Sequence, residues 1–263
     1  FLYSYFSRNI FFFEYVSFCT LFFLLGLVDD LKISIAPKFR LLIMIAFLIT
    51  LVISNEIYIK KTGLEFLDNL VAIDIFSLMF ICLCFLFIIN GSNLIDGFNG
   101  LLGIHALIIF IILFAINLIH ENNNLIYTLF YVSLLTLIFL KFNFPKAQIF
   151  LGDSGAYLIG ILIAISVIKT SNLNPSISPF FYCILLFYLF FEVFFSFFRK
   201  LFVVRQSPLL PDNQHLHMSL YKLLFKKNKT KLSSNYTVSI YINLIYLSLI
   251  IPGIIFMNNG LFC

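Results

Sequence analysis

Residues 76–116 read FSLMFICLCFLFII, then NGSNLIDGFNG, then LLGIHALIIFIILFAI. Two solidly apolar runs flank a segment, Asn90–Gly100, that carries Asn90, Asn93, Asn99, Asp96, Gly91, Gly97 and Gly100. The flanks decide the fold class. Of all 263 residues, 62% are apolar, 19% aromatic and only 11% charged. A water-soluble domain is about half apolar and about a quarter charged, so this chain lacks the polar surface to cover a globule in water. In hydrocarbon, only helices and closed barrels satisfy every backbone group. Barrel strands alternate polar and apolar residues, whereas these runs are continuously apolar over lengths that suit spanning helices. The expected fold is an all-α polytopic transmembrane bundle forming a single domain over 1–263.

Eight spans are expected, at about 10–28, 41–59, 75–89, 101–119, 125–140, 156–170, 180–198 and 237–257. Successive spans reverse direction, so loops 29–40, 90–100, 141–155 and 199–236 share one side. That side carries Lys32, Lys38, Arg40, Lys141, Lys146, Arg199, Lys200, Arg205, Lys222, Lys226, Lys227, Lys229 and Lys231. The other side and its span ends carry Lys60, Lys61 and Lys169. The positive-inside rule then makes the first set cytoplasmic. The five cysteines sit in or beside apolar runs, without zinc-site spacing, and are read as small buried side chains. The opening FLYSYFSRNIFFF has no basic region ahead of an apolar core, so it is not read as a cleavable signal peptide. It reads instead as a chain joined partway.

The unusual polar clusters all fall in the four cytoplasmic loops. Asp29 and Asp30 close the first span, and adjacent carboxylates repel unless a cation or basic group neutralises them. A solvated helix end facing Lys32 explains them as well as a metal-binding or proton-accepting pair does. Asp96 is the one acid of its loop; turn chemistry accounts for its Asn and Gly neighbours, as does close approach to a ligand. Asp153 or Ser154, in FLGDSGAYLIG, reads as a helix N-cap. The same helix start, with free N–H groups, is also a seat for phosphate, which an aspartate there would share only with a cation. His215 and His217, in PDNQHLHMS, are spaced for neither one helix face nor a zinc motif. They are either incidental in an exposed basic loop or donors to a diphosphate, with Arg199 and Arg205 able to grip phosphate oxygens bidentately.

In this order, GLVDDLK, NLIDGFNGL, FNFPKAQIFLGDSG and SPLLPDNQHLH resemble the four motifs of the polyprenyl-phosphate N-acetylhexosamine-1-phosphate transferases. These are the WecA-like branch of the MraY/WecA group in glycosyltransferase family 4. The resemblance runs from about Gly26 to Met218. It implies an enzyme that moves an N-acetylated sugar-1-phosphate from a UDP-sugar to a polyprenyl (undecaprenyl) phosphate, releasing UMP and starting cell-surface polysaccharide synthesis. It implies Asp29, Asp30, Asp96 and Asp153 as catalytic acids, with Asp153 the ligand of Mg2+ or its substitute Mn2+. It further implies Asn90, Asn93, Asn99, Asn143, Arg199, Arg205, His215 and His217 as substrate-binding residues. Asn99 stands where many relatives have the second Asp of DGxDG, keeping a carbonyl oxygen able to meet a cation, and Met218 replaces the last His of HxHH. Against the family's pattern, the N-terminus is expected to be short by roughly the first two spans. The expected partners are a UDP-N-acetylhexosamine, the lipid phosphate and the membrane, with a homodimer left open and no nucleic acid. The expected location is the bacterial inner (plasma) membrane.

Two rivals come from other classes. A secondary transporter places charges or broken helices near the bilayer midplane and shows internal repeats; here the acids lie at one membrane edge. A catalytically inactive homologue is suggested by Asn99, Met218 and the short N-terminus. The topology is open to direct test. In a cysteine-free background, single cysteines introduced beside Asp29, Asp96, Asp153 or His215 are expected to resist an impermeant reagent applied to intact cells. Labelling of any one of these loops from outside would overturn the assignment.

Overall fold

The apolar runs fold as long helices in a computed structural model. It describes residues 10–33, 35–207, 214–228, 230–260 and 262–263. Among these residues the helices are α1 Ile10–Asp30, α2 Pro37–Asn55, α3 Glu65–Val71, α4 Asp74–Ile95, α5 Leu101–Ile119, α6 Asn123–Asn143, α7 Gly152–Leu173, α8 Pro179–Leu185, α9 Phe187–Phe198, α10 Leu216–Asn228 and α11 Lys231–Ile255. A π-helical turn, Arg199–Val204, continues α9. No strand occurs among the described residues. The chain is an all-α polytopic bundle.

The span count differs from the expected eight. Six described helices (α2, α4, α5, α6, α7 and α11) are long and apolar enough to cross a membrane, and a seventh is counted if the bent pair α8–α9 acts as one span. Helix α1 coincides with the expected first span, but Glu14 near one end and Asp29 and Asp30 at the other confine its uncharged stretch to residues 15–28. The span expected over 180–198 is broken, with α8 and the helix from Phe187 to Val204 meeting at 68°. Neither Pro nor Gly marks the bend. The Tyr246 hydroxyl donates to the Leu185 carbonyl at 2.5 Å, so tertiary contact satisfies backbone that the break exposes. The span expected at 75–89 runs on to Ile95, which puts Asn90, Gly91, Ser92 and Asn93 on a helix rather than in a loop. Gly91 fits there because α4 lies against α9: a Cβ on it would meet the Leu189 carbonyl oxygen at 2.6 Å.

Helix α7 is the most buried span and the axis of the bundle. Lipid tails are as apolar as leucine, so helices in a membrane associate through close packing, which small residues permit. A Cβ on Gly26 of α1 would come within 2.4 Å of the Ser154 Cα, and one on Gly160 of α7 within 2.8 Å of the Ile89 Cα. Away from the acid clusters, polar ties hold the other end. In α1, Glu14 pairs with Lys169 of α7, and the Tyr15 hydroxyl shares a hydrogen bond with Ser166 Oγ. Asn117 donates to Thr170 Oγ1 at 2.9 Å, and Asn122 donates to Asn117 and Asn174. Cys183 is exposed on the bundle surface, not buried as expected of a cysteine.

The Gly26 contact generates a stability prediction. Overpacking a filled interface costs about 1–3 kcal/mol. Gly26→Ala is therefore expected to lower the Tm of the detergent-purified protein. Gly253→Ala, whose Cβ would meet its nearest neighbour at 3.6 Å, should leave it nearly unchanged. Equal Tm values for the two variants would refute the close α1–α7 contact.

Candidate active site

The four loops expected to share a side converge. Asp30, the last residue of α1, accepts hydrogen bonds from the backbone N–H groups of Asp153, at 2.9 Å, and Ser154, at 3.0 Å. Asn93 of α4 donates to Asp153 Oδ1 at 2.7 Å. The Gly100 N–H donates to Asn143 Oδ1 at 2.7 Å, and the Asn99 N–H donates to Asn235 Oδ1 at 2.8 Å.

Asp29 and Asp30 escape mutual repulsion through different partners. Arg40 Nη1 lies 2.7 Å from Asp29 Oδ2 and 3.9 Å from Asp153 Oδ2. Arg40, not Lys32, is the neutralising base, and sequence reading missed it as a site residue. Its signal was its place in the first turn of α2, two residues after Lys38. Asp30 meets the positive end of the α7 dipole and its unpaired N–H groups. Burial alone would raise the Asp30 pKa, but hydrogen bonds from Ser154 and Asp153 outweigh it and hold the carboxyl below its ordinary value. Gly152, at φ 64°, makes this fit: a Cβ there would lie 2.7 Å from both Asp30 carboxylate oxygens. The helix start expected to seat phosphate is thus already capped by a carboxylate.

Asp96 follows α4 and is half-buried. Burial is the largest influence on it, reinforced by the charges of Asp153 and Asp30, and together they push its carboxyl up to about 7. Asp153 keeps 38% of its side chain exposed. Among the described residues, no group of three or more His, Cys, Asp or Glu side chains is gathered to hold a metal ion unaided. Mg2+ nevertheless binds through one or two carboxylates, water and substrate phosphates. An exposed Asp153, steadied by the Asn93 amide and close enough to Asp96 to shift its pKa, fits that mode with an all-oxygen donor set.

The other expected residues divide. Asn90 lies one turn before Asn93 and donates to the Leu86 carbonyl at 2.8 Å. Asn143 is buried and ties backbone together, accepting from Gly100 and donating to the Ile149 carbonyl. Asn99 Nδ2 donates to the Pro145 carbonyl at 2.9 Å, so an aspartate at 99 would set a carboxylate oxygen against a carbonyl. Arg199 donates to Gln214 Oε1 at 2.9 Å, and Arg205 is exposed beyond the π turn. His215 and His217 are not in an exposed loop: they are 2% and 0% exposed. Both Nδ1 atoms meet Glu192, a fully buried residue of α9 that sequence reading also missed. Its signal was a lone acid in the otherwise uncharged run FYLFFEVFFSFF. Residues 208–213 of the fourth cluster lie outside the described residues, as do residues 1–9 of the opening segment.

A family model described as glycosyl transferase family 4 matches residues 12–171. An undecaprenyl-phosphate alpha-N-acetylglucosaminyl 1-phosphate transferase of Thermotoga maritima is 28% identical over 196 residues, 74% of this chain and 57% of that protein. Phospho-N-acetylmuramoyl-pentapeptide-transferases of Dictyoglomus thermophilum and Dictyoglomus turgidum are also similar. The first is 32% identical over 217 residues, 78% of this chain and 67% of that protein. The second is 30% identical over 246 residues, 90% of this chain and 74% of that protein. The chain thus spans little more than half of the Thermotoga relative and two thirds or more of the other two. Relatives of both substrate kinds match, which leaves the branch open.

The Asp96 environment carries a pH signature. Its folded pKa, about 7, lies above the ordinary 3.8, so folded protein holds the proton more tightly than unfolded protein. That contribution to stability is complete below 3.8 and is lost as pH rises through about 7. In detergent with a chelator, Asp96→Asn is expected to abolish this loss. Its Tm relative to the parent should therefore rise as pH climbs through the window. A pH-independent difference would show that Asp96 titrates normally.

Proposed function

The chain belongs to glycosyl transferase family 4, and from that premise we propose that it transfers an N-acetylated sugar-1-phosphate from a UDP-sugar to a polyprenyl phosphate. The family leaves no ground for the transporter reading. The observation that carries the proposal is the meeting of Asp30, Asp96 and Asp153, from three distant helix ends, at one edge of a membrane bundle. A phosphate headgroup stays at that edge because charge does not enter hydrocarbon. The lysine and arginine bias supports a cytoplasmic location for it, in a bacterial plasma membrane.

In the proposed reaction an oxygen of the lipid phosphate attacks the β-phosphorus of the UDP-sugar. The bond to the bridging oxygen breaks, and UMP leaves with that electron pair. Asp96, with its carboxyl near neutrality, suits removal of the acceptor phosphate proton, since a general base works best with a pKa near the operating pH. Asp29 and Asp30 are engaged elsewhere, which supports Asp96 rather than either of them as the base. Asp153 would hold Mg2+ or Mn2+, whose charge compensates the phosphate oxygens. Arg40 bears on both Asp29 and Asp153, which limits repulsion between protein carboxylates and substrate.

A cleft of about 400 Å³ between α9 and α10 supports the lipid assignment. Phe191 and Phe195 form its apolar wall, and Arg199, Gln214 and Lys222 its polar one. That pairing suits an isoprenoid chain bearing a phosphate. The sequence HLHM at 215–218, with two histidines and not a longer cluster, favours a UDP-N-acetylhexosamine over a muramoyl-pentapeptide donor.

Purified protein, labelled UDP-N-acetylglucosamine, undecaprenyl phosphate and Mg2+ test the reading. Labelled lipid and UMP should form in equal amounts. Asp96→Ala is expected to lower turnover by ~100-fold or more, the scale lost with one preorganised electrostatic partner. Asp153→Asn should abolish Mg2+-dependent transfer while the protein still purifies as a folded species; near-normal activity with an unchanged Mg2+ requirement would rule Asp153 out as an essential ligand. No transfer by the parent with any UDP-N-acetylhexosamine would favour the inactive homologue.

A further inference from the structure

Glu192 is surrounded by apolar α9 neighbours yet receives three polar groups. The Tyr188 hydroxyl donates to Oε1 at 3.0 Å. His217 Nδ1 lies 3.3 Å from the same oxygen, and His215 Nδ1 lies 3.0 Å from Oε2. The two imidazoles stack with centroids 5.3 Å apart and planes 2° from parallel. His215 precedes α10 and His217 is its second helical residue, so a spacing of two still brings both rings to one carboxylate.

An ionised carboxylate only accepts hydrogen bonds, and a neutral imidazole carries one N–H. The bond made at one ring nitrogen therefore sets which nitrogen bears the proton. We infer that Glu192 is a positioning residue that holds the proton on Nδ1 of both His215 and His217, leaving their Nε2 atoms as the working edges. The His217 ring supplies the independent observation. Its Nε2 is buried, has no hydrogen-bond partner, and faces Gly97, next to Asp96. A buried polar atom left unpaired costs stability unless something meets it. Beside Asp96, the group that suits a bare Nε2 lone pair is a proton-bearing oxygen of a phosphate ester. Tyr188 occupies the remaining side of Glu192 Oε1, so neither imidazole can turn to present Nδ1 without stranding the carboxylate.

The assignment of that oxygen to substrate rests on the transferase reading; the tautomer does not. The chain has four histidines, His105, His120, His215 and His217, few enough for ring-nitrogen NMR on selectively 15N-histidine-labelled protein in detergent, with His→Gln variants for assignment. At alkaline pH, His215 and His217 are expected in the Nδ1–H form. Nε2–H on both rings in the native protein would overturn the proposal, whatever the protein catalyses. Glu192→Gln offers one amide oxygen in place of two carboxylate oxygens, so at least one ring should change to Nε2–H. Transfer should fall by at least ~10-fold, the lower end for an outer partner of a functional histidine. Tyr188→Phe should keep both Nδ1–H signals. If Glu192→Gln folds with both tautomers unchanged, Glu192 does not set them. If the native tautomers are as expected but no sugar phosphate moves, the positioning role stands and the reaction assignment fails.

Discussion

The cap that Asp30 places on α7 is the constraint on which the rest of the site depends. A helix start has four N–H groups without intrahelical partners. At a membrane edge, loops, water or ligand must satisfy them. Here a carboxylate from the end of α1 takes those of Asp153 and Ser154. The geometry works only because Gly26 lets the two backbones touch and Gly152 leaves room for the carboxylate oxygens. One contact thereby sets the distance between α1 and α7, the register of α7, and the direction in which Asp153 projects.

Four carboxylates so close together need four different remedies. Asp29 takes a guanidinium, and Asp30 takes a helix dipole. Asp96 retains its proton to higher pH than usual. Asp153 is partly open to solvent, with a neutral amide from Asn93 on one oxygen and Arg40 standing off the other. At ~5 Å two unit charges repel by roughly 3 kcal/mol at an effective dielectric of about 20. The four acids thus differ in partner before any chemistry is considered: Asp29 meets a guanidinium, Asp30 caps a helix start, Asp153 accepts from a neutral amide, and the Asp96 carboxyl is pushed up to about 7.

Much of this was legible in the sequence, and the rest was hidden for identifiable reasons. Continuous apolar runs announced the helices, and alternation with a lysine and arginine bias put Asp29, Asp96, Asp153 and the histidines on one face. The extension of α4 through Asn90–Asn93 was hidden because Gly and Asn usually signal turns, whereas here Gly91 serves a close helix contact. The bend at Leu186 was hidden because no Pro or Gly marks it and a tyrosine sixty residues on helps to hold it. Glu192 stood out only as a lone acid in an apolar run, and its role was hidden because its histidine partners come from a segment more than twenty positions away. Asn143 was legible as special, but its work is to tie Gly100 to the loop before α7, which only coordinates reveal.

The Glu14–Lys169 pair sets a condition on biosynthesis. Translation delivers Glu14 to the membrane with its partner still unmade, and the neighbouring Tyr15–Ser166 bond spans 151 positions. Until α7 emerges, Glu14 lacks Lys169 and Asp30 lacks the helix start it caps, whereas Asp29 can already meet Arg40 of α2. A bundle cut short before α7 lacks both the partner of Glu14 and the helix start that Asp30 caps.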